Sequence, residues 1–276
     1  MSERKTFPKN MLDDTLKRVA EELDEDINIY LIGGGAMIFY GRKAATKDID
    51  IVFLDPQPLA AFIDAAIKAG FRPVEEPEEE YRKIGVWIML EADSGIRLDL
   101  FNKKVCDALE VKGTVVARTN HHSDIGKLHV YLMSPEDIVL FKGITEREAD
   151  LEDIRILAEA GIDWGVVEEE CLSQEGSGDW SNLLVANLSE LRRRYGIDPR
   201  LPRLMDYADS YVLRKSFKTF LQDKELSFAE LQEIVHERTG YSPSWTRTKL
   251  RELEEEGFIA SRLDGRRKKY RIKQAS

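Results

Sequence analysis

The sequence has few cysteines and no long apolar segment. Only Cys106 and Cys171 occur among its 276 residues. Two cysteines this far apart exclude a disulfide framework or a thiolate zinc cluster, so we expect two inert thiols. No apolar run approaches the roughly 20 residues that span a bilayer. Because the first ten residues also lack the apolar segment of a signal peptide, we expect a cytoplasmic protein with no membrane partner.

Charge is unevenly distributed along the chain. The net charge is −10 at pH 7. From Arg214 to Ser276, however, there are 15 Lys and Arg against 10 Asp and Glu, whereas the remaining chain has 26 against 41. A basic tail on an acidic body predicts that the tail contacts a polyanion such as nucleic acid. The alternative is an ordinary solvated surface with uneven charge.

The hydrophobic pattern predicts an α+β protein in three parts. Residues 1–133 alternate between helical and strand patterns, which predicts a domain around a mixed sheet. Residues 134–222 are helical throughout and are predicted to form a helical domain, whose first helix begins with Ser134 as cap and Pro135 at the first position. Residues 223–276 are predicted to form a small domain of two helices followed by a hairpin, with Ser227 and Glu230 as a capping box on its first helix. The predicted strands of the first part are 27–32, 49–54, 84–90, 96–101, 111–118 and 127–133, and 84–90 is expected to pair with 96–101 as a hairpin.

A glycine run follows the first predicted strand. Gly33, Gly34 and Gly35 come directly after the apolar segment 27–32. Glycines at this position let backbone N–H groups approach phosphate oxygens closely. The alternative is a tight turn that packs a helix on a sheet. The run lacks the spacing of a dinucleotide-binding fingerprint, and no Gly-Lys-Ser/Thr follows as in a P-loop.

Three aspartates are the strongest chemical signal. Asp48 and Asp50 lie two residues apart at the head of a strand, so their side chains project from the same face. Asp99 lies within the apolar stretch 96–101, where an unpartnered carboxylate is unfavourable. Three converging carboxylates repel one another unless a cation lies between them, and oxygen ligands suit Mg²⁺. The alternative partner for Asp99 is Arg97, two residues away.

These residues resemble a known family. Gly33-Gly34, Asp48-x-Asp50 and a lone Asp99 on a later strand are similar to the nucleotidyltransferase superfamily with the DNA polymerase beta-like fold. The small prokaryotic members related to abortive-infection toxins of toxin–antitoxin systems are the most similar. The resemblance implies that the glycines bind a nucleoside triphosphate and that the three aspartates bind divalent metal, with two Mg²⁺ ions expected.

A second block of residues extends the resemblance to residues 27–160. It comprises the segment 134–142, which ends in Lys142, and the pattern Arg147-x-x-Asp150-x-x-Asp153. Lys142 and Arg147 are candidates for contacting triphosphate oxygens, because positive charge is needed where negative charge develops. The alternative is a salt-bridged helix surface that contributes little. Thr46 and Lys47, beside the metal pair, are further candidates for phosphate contact.

The tail resembles a winged helix-turn-helix domain. Ser244 to Glu255 corresponds to a recognition helix, which reads base edges mainly through its N-terminal residues. The acidic C-terminal end of that helix departs from the pattern and should face away from DNA. Protein contact or dimerisation is the alternative role. The candidate residues for nucleic-acid contact are Ser244, Arg247, Thr248, Arg251, Arg266, Arg267, Lys268 and Lys269.

The combined expectation is a Mg²⁺-dependent nucleotidyltransferase. It would move a nucleoside monophosphate from a nucleoside triphosphate to an acceptor hydroxyl on RNA or protein, with Asp48, Asp50 and Asp99 as catalytic residues. Its expected partners are nucleic acid at the C-terminal domain and either an antitoxin or a second copy of the chain. The alternative is a DNA-binding transcription regulator whose nucleotidyltransferase-like domain is a catalytically silent sensor.

Overall fold

The computed structural model describes residues 4–75, 85–106, 108–145, 147–222 and 224–273. The chain divides into two compact units, Met1–Met205 and Asp206–Ser276. The boundary predicted at residue 133 falls inside the first unit, and the one predicted at residue 222 falls inside the second. No helix within the described ranges is long and apolar enough to cross a bilayer.

A mixed seven-stranded sheet forms the centre of the first unit. Its strand order is β10-β11-β2-β4-β7-β6-β5. The β2–β11 and β4–β7 pairs are parallel, and the others are antiparallel. This architecture confirms the predicted α+β class. The elements are β1 Phe7–Pro8, α1 Lys9–Glu21, β2 Ile27–Leu31, α2 Gly33–Phe39, β3 Ala45–Thr46, β4 Asp48–Phe53, α3 Pro56–Lys68, β5 Arg72–Pro73, β6 Ile88–Glu91, β7 Arg97–Asn102, β8 Lys104–Val105, β9 Leu109–Glu110, α4 Gly113–Ala117, β10 Asn120–Ile125 and β11 Leu128–Leu132.

Strand β4 shows why the two aspartates can lie at the head of a central strand. Ile49 and Ile51 are fully buried, whereas Asp48 and Asp50 are half-buried on the opposite face. Side chains of a strand alternate between its faces. The β-branched residues therefore anchor one face in the core, and the carboxylates remain on the face that opens to the site.

Four helices complete the first unit. They are α5 Pro135–Gly143, α6 Glu148–Glu159, α7 Trp164–Ser173 and α8 Ser177–Tyr195. The Ser134 hydroxyl accepts the Asp137 N–H at 3.1 Å, which confirms Ser134 as the predicted cap of α5. Residues 137–143 of α5 are all buried. This helix therefore lies in the core, where it brings Lys142 toward the sheet.

Three secondary-structure predictions differ from the structure. The predicted strand 111–118 is wrong, since Gly113–Ala117 is the short helix α4. Strand β10 was not predicted because its polar run 120–125 lacks the alternation of a half-buried strand. The helix predicted over 36–40 begins earlier, because the glycine run forms the first turn of α2 (Gly33–Phe39). The predicted hairpin 84–90/96–101 is present as paired strands β6 and β7, although Ile84 lies outside the described residues.

The two cysteines differ in burial, and Cys106 is only partly buried. Cys171 is fully buried in α7, and burial raises the pKa of its thiol to about 12. A thiol with such a pKa stays protonated at neutral pH and is a poor nucleophile.

The second unit has its own small core. Its sheet has the order β12-β14-β13. Ser227 and Glu230 form the predicted capping box, and the predicted order of helix, helix and hairpin is confirmed. Its core includes Phe217, Leu231 and Leu250. The remaining elements are α9 Pro202–Phe220, β12 Leu226–Ser227, α10 Phe228–Thr239, α11 Pro243–Glu255, β13 Ile259–Asp264 and β14 Arg267–Ile272.

Candidate functional site

Asp48, Asp50 and Asp99 converge at the sheet. Asp50 lies opposite Asp99 in the parallel register of β4 and β7. One carboxylate oxygen from each of the three residues lies within 4.8 Å of the other two. The i, i+2 spacing on β4 and the parallel pairing with β7 together produce this cluster.

Asp99 is fully buried in the sheet. Its exposure is 0%, and neither of its oxygens has a hydrogen-bond partner among the described residues. The alternative partner, Arg97, donates instead from Nε to Glu91 Oε2 at 2.7 Å. An uncompensated buried carboxylate is unfavourable, because nothing replaces the water that it has lost. The orphaned oxygens therefore point to a ligand at this position.

The three carboxylates raise one another's proton affinity. Burial, and then the charge of Asp48, raises the pKa of Asp50 to about 7, although Arg147 and Lys142 oppose the shift. Burial, and then the charges of Asp48 and Asp50, raises the pKa of Asp99 well above its ordinary value. Both shifts identify a site that favours either protons or a cation.

Two glycines approach the site where a larger residue would not fit. Gly33 has a φ of +58°, and a Cβ atom there would overlap with Asp50 Oδ2. A Cβ on Gly34 would overlap with the Thr46 hydroxyl. Both positions therefore need glycine, the first for its backbone conformation and both for space.

A cavity of about 460 Å³ opens over the aspartates. It contains the predicted phosphate-contacting residues Thr46, Lys47, Lys142 and Arg147 in its lining, together with Gly34. Gly33 is not part of the lining, although it touches Asp50. The full lining is Thr6, Gly34, Lys43, Ala45, Thr46, Lys47, Asp48, Asp50, Lys142, Arg147, Glu148, Ala149, Asp150 and Asp153.

Cations and two aspartates form a network in this lining. Lys142 Nζ donates to Asp150 Oδ1 at 2.6 Å and lies 2.7 Å from Asp153 Oδ2. Asp153 also binds Lys43 Nζ at 2.7 Å, and Asp150 binds Arg147 Nε at 2.8 Å. Burial disfavours the ammonium of Lys142, but the two carboxylates outweigh it and raise the Lys142 pKa. Two aspartates thus hold three cations in place.

The cations differ in their access to the cavity. The side chain of Lys142 is 8% exposed, whereas those of Lys43 and Arg147 are 29% and 36% exposed. The buried ammonium group of Lys142 therefore neutralises the charges of Asp150 and Asp153. Lys43 and Arg147 are the more exposed cations of the network.

Arg4 lies at the edge of the aspartate cluster. Its Nη1 donates to Asp48 Oδ2 at 3.4 Å, and its Nη2 donates to the Lys47 carbonyl oxygen at 3.1 Å. The charge of Arg4 lowers the pKa of Asp99, against the larger effects that raise it. A protein cation therefore contacts one of the three carboxylates directly.

Arg4 and Lys43 were missed in the sequence. Arg4 lies 44 residues before Asp48, and Lys43 lies 110 residues before Asp153. Nothing in local spacing marks either pair. The antiparallel pairing of β1 with β3 brings the N-terminal segment to Asp48, and the packing of α6 places Asp153 near Lys43.

The residues present fit a divalent cation. Asp48, Asp50 and Asp99 supply hard oxygen ligands, and the buried oxygens of Asp99 need a positive partner. Within the described parts of the chain, this is the one group of three or more His, Cys, Asp or Glu with converging ligand atoms.

The predicted nucleic-acid residues lie in two places in the second unit. Ser244, Arg247, Thr248 and Arg251 are on α11. The segment 266–269 lies at the turn and first strand residues of the β13–β14 hairpin, with Arg266 in the turn and Arg267, Lys268 and Lys269 on β14.

Comparison with known proteins agrees with the geometry of the first unit. A family described as "Nucleotidyltransferase of unknown function (DUF6036)" matches residues 10–182, more than half of the chain. No curated protein shows significant similarity to the sequence. The matched segment contains the glycine pair, the three aspartates and the cation network, but not the second unit. The chain therefore belongs to this family of nucleotidyltransferases.

Proposed function

We propose that the protein is a Mg²⁺-dependent nucleotidyltransferase that moves a nucleoside monophosphate from a nucleoside triphosphate to an acceptor hydroxyl on RNA or protein. The convergence of Asp48, Asp50 and Asp99, with the unpartnered oxygens of Asp99, carries this proposal. Membership of a nucleotidyltransferase family supports transfer chemistry in general.

Asp48, Asp50 and Asp99 are assigned to metal binding, and Asp99 also to proton transfer from the acceptor hydroxyl. Two Mg²⁺ ions held by Asp48, Asp50 and Asp99 would activate the acceptor hydroxyl and neutralise the leaving pyrophosphate. Asp99 orients the acceptor hydroxyl and takes its proton. The acceptor oxygen forms a bond to the α-phosphorus, the bond from that phosphorus to the oxygen bridging to the β-phosphate breaks, and pyrophosphate leaves.

The cavity lining is assigned to the triphosphate. Gly33 and Gly34 are assigned to seating the triphosphate through backbone N–H groups, and Thr46 and Lys47 line the cavity beside the aspartates. Lys43 and Arg147 contact the phosphates because they are the more accessible cations of the network. Lys142 acts by fixing Asp150 and Asp153, which in turn hold those two cations.

The charge of the lining supports a metal requirement for nucleotide binding. The cations are Lys43, Lys47, Lys142 and Arg147, and the carboxylates are Asp48, Asp50, Glu148, Asp150 and Asp153. Four positive charges face five negative ones when all these carboxylates are ionised, and Arg4 and Asp99 beside the cavity add one charge of each sign. A triphosphate anion would be repelled unless divalent cations accompany it. We therefore expect nucleotide binding itself, and not only turnover, to require Mg²⁺.

A label-transfer assay tests the proposal. The full chain is incubated with each labelled nucleoside triphosphate, Mg²⁺ and either total RNA or total protein. We expect label on one acceptor, loss of label with Asp50→Asn, and retention with Asp64→Asn, which changes an exposed aspartate of α3. Transfer that survives Asp50→Asn, or that is absent with every nucleotide and both acceptors, contradicts the proposal.

A regulator is the second candidate because of the C-terminal unit. Its order of β12, α10, α11 and a β13–β14 hairpin supports a winged helix-turn-helix domain, with α11 as the recognition helix. In this case the first unit binds nucleotide without transferring it. Sequence-specific duplex binding, together with no label transfer, would favour this candidate over the enzyme.

A toxin role with a neutralising antitoxin partner extends the first candidate. It rests on the resemblance to abortive-infection toxins. Expression of the chain in a bacterial host should then arrest growth, and Asp50→Asn should abolish the arrest at equal protein level. Equal arrest by the variant would assign the effect to something other than transfer.

A further inference from the structure

The middle strand of the C-terminal sheet separates its charged residues onto two faces. Tyr270 is buried in the core of the second unit, and Ile272 packs against that core. Lys268 is on the same face, where it donates to Glu254 of α11 at 2.7 Å. Because side chains alternate along a strand, Arg267, Lys269 and Arg271 lie on the opposite, outer face.

The neighbouring strands extend this outer face. Arg262 of β13 lies opposite Lys269, and Asp264 lies opposite Arg267. On the other side, Ser227 of β12 lies opposite Lys269. Paired residues of neighbouring strands project to the same side of a sheet. The outer face therefore carries four cations in two adjacent strands: Arg262, Arg267, Lys269 and Arg271.

A basic cavity lies beside the end of β14. It has a volume of about 590 Å³ and is formed by Arg271, Ile272 and residues between 218 and 225. Its described lining contains three cations, Lys218, Lys224 and Arg271, and one carboxylate, Glu225. Arg271 belongs to both the outer face and the cavity, so the two surfaces are continuous.

Carboxylates around this surface only partly neutralise it. Glu225 binds Arg262 at 2.5 Å, and Lys269 lies 3.2 Å from Asp264. Lys269 and Arg267 lower the pKa of Glu230, after the larger effect of its Ser227 hydrogen bonds. Among the described residues, six cations (Lys218, Lys224, Arg262, Arg267, Lys269 and Arg271) thus face three carboxylates (Glu225, Glu230 and Asp264), an excess of three positive charges.

The side chains predicted on α11 to read bases are engaged within the protein. The Arg247 guanidinium lies over the Phe228 ring at 4.7 Å, and Arg251 Nε lies 4.0 Å from Glu255. The Thr248 hydroxyl donates to the Ser244 carbonyl oxygen at 3.2 Å. The Ser244 hydroxyl lies 3.0 Å from that of Ser242. Contact with bases would have to compete with these interactions, of which the Arg251–Glu255 pair is the weakest because both side chains are 70% exposed.

We propose that the second unit binds the phosphodiester backbone of nucleic acid through the outer face of its sheet and the adjoining basic cavity, not through α11. Among the described residues, this face presents cations without an exposed aromatic ring on which a base could stack. Lysine and arginine contacts to phosphate carry no sequence information. The binding is therefore sequence-independent and strongly dependent on salt. It brings nucleic acid to the protein whether or not the first unit transfers nucleotides.

Fluorescence anisotropy with the full chain tests this proposal. The probes are a 20-base-pair DNA duplex, an RNA duplex of the same sequence, and scrambled versions of each, over a range of salt concentrations. We expect equal affinity for scrambled sequences. Lys269→Ala and Arg271→Ala should each weaken binding by about eightfold at 0.1 M salt, and each should reduce the slope of log affinity against log salt by about 0.9 for a duplex.

Lys268→Ala is the matched control, since it removes the same charge from the adjacent position on the opposite face. It should leave the affinity and the salt slope unchanged, as should Arg247→Ala. Circular dichroism confirms that each variant is folded. Losses confined to Lys268→Ala or Arg247→Ala would overturn the proposal, as would wild-type protein that binds neither duplex at 50 mM salt. Binding to poly-glutamate but to neither duplex would also overturn it and would indicate an acidic protein partner.

Discussion

Asp50 and Asp99 are direct neighbours across the parallel strands β4 and β7. Hydrophobic residues fix this register, because Ile49, Ile51, Leu98 and Leu100 are fully buried around the pair. A shift of one residue would exchange the buried and polar faces of the strand. The packing of the core therefore holds two like charges next to each other and prepares the protein to bind a cation.

Asp99→Asn should stabilise the metal-free protein. The substitution removes a buried charge that has no hydrogen-bond partner among the described residues. We expect the free energy of unfolding at pH 8 to rise by about 1–3 kcal/mol in the presence of EDTA. Urea denaturation measures this change. The increase in Tm on adding Mg²⁺ should be lost in the same variant, whereas Asp64→Asn should retain it. A destabilised Asp99→Asn protein would contradict this account of the site.

Metal affinity should rise with pH up to about pH 7. The pKa of Asp50 is raised to about 7, so below this pH a proton competes with the metal. The contribution of Asp50 approaches tenfold per pH unit at most, and the raised pKa of Asp99 adds to it. Without metal, a carboxyl group whose pKa is raised on folding binds more protons when folded, so its stabilising contribution is present at low pH and is lost as the pH rises toward 7. Mn²⁺ titration by calorimetry and urea denaturation in EDTA at pH 5 to 8 measure the two trends. A metal affinity that does not change with pH would argue against Asp50 as a ligand.

Gly33→Ala should destroy the metal site, whereas Gly41→Ala should not. Both glycines have positive φ, +58° and +69°, so alanine should destabilise each by about 1–2 kcal/mol. Only at Gly33 would the new Cβ overlap with a carboxylate, that of Asp50. Thermal unfolding compares the shared effect on stability, and Mn²⁺ binding shows the specific one. Equal metal affinity in the two variants would mean that the Asp50 side chain can shift away from the new Cβ and still bind the metal.

Lys142→Ala should mainly lower the stability of the protein, whereas Lys43→Ala should mainly weaken nucleotide binding. Removing Lys142 leaves Asp150 and Asp153 buried without their shared counter-ion, so we expect a loss of about 3–5 kcal/mol in unfolding free energy. Lys43 is more accessible, and Lys43→Ala should weaken nucleotide binding with a much smaller change in stability. Chemical denaturation and equilibrium binding of a non-hydrolysable nucleotide with Mg²⁺ separate the two effects. Unchanged nucleotide affinity in Lys43→Ala would remove that residue from the phosphate contact.

Arg4→Ala should tighten the binding of divalent metal. The guanidinium contacts Asp48, so a bound cation has to compete with it for the same carboxylate. Mn²⁺ titration should show a lower Kd for the variant, by several-fold. Lys5→Ala is the control, since Lys5 is an exposed neighbour of the same charge. A higher Kd in Arg4→Ala would show that Arg4 supports the site rather than competing for it.

Local patterns predicted much of the first unit correctly. The apolar run 49–54, with Asp48 and Asp50 two residues apart, predicted a strand with both carboxylates on one face. Ser134 and Pro135 predicted the start of α5. The errors arose where the local pattern was ambiguous. The segment 111–118 contains β-branched residues but forms α4, because propensity is weak and tertiary packing overrides it.

The sequence by itself determined that the glycines follow a buried strand, that Asp48 and Asp50 share one face of the next long strand, and that the tail is a basic unit of two helices and a hairpin. Only the tertiary structure decided which partners these residues meet. The pairing of β4 with β7 places Asp99 beside Asp50. Arg4 contacts Asp48, and Lys43 contacts Asp153, which is 110 residues away in the sequence. Because side chains alternate along β14, Lys268 and Lys269 lie on opposite faces of the sheet. Sequence spacing fixes which face of its own element a residue occupies, but the packing of distant elements fixes what that face meets.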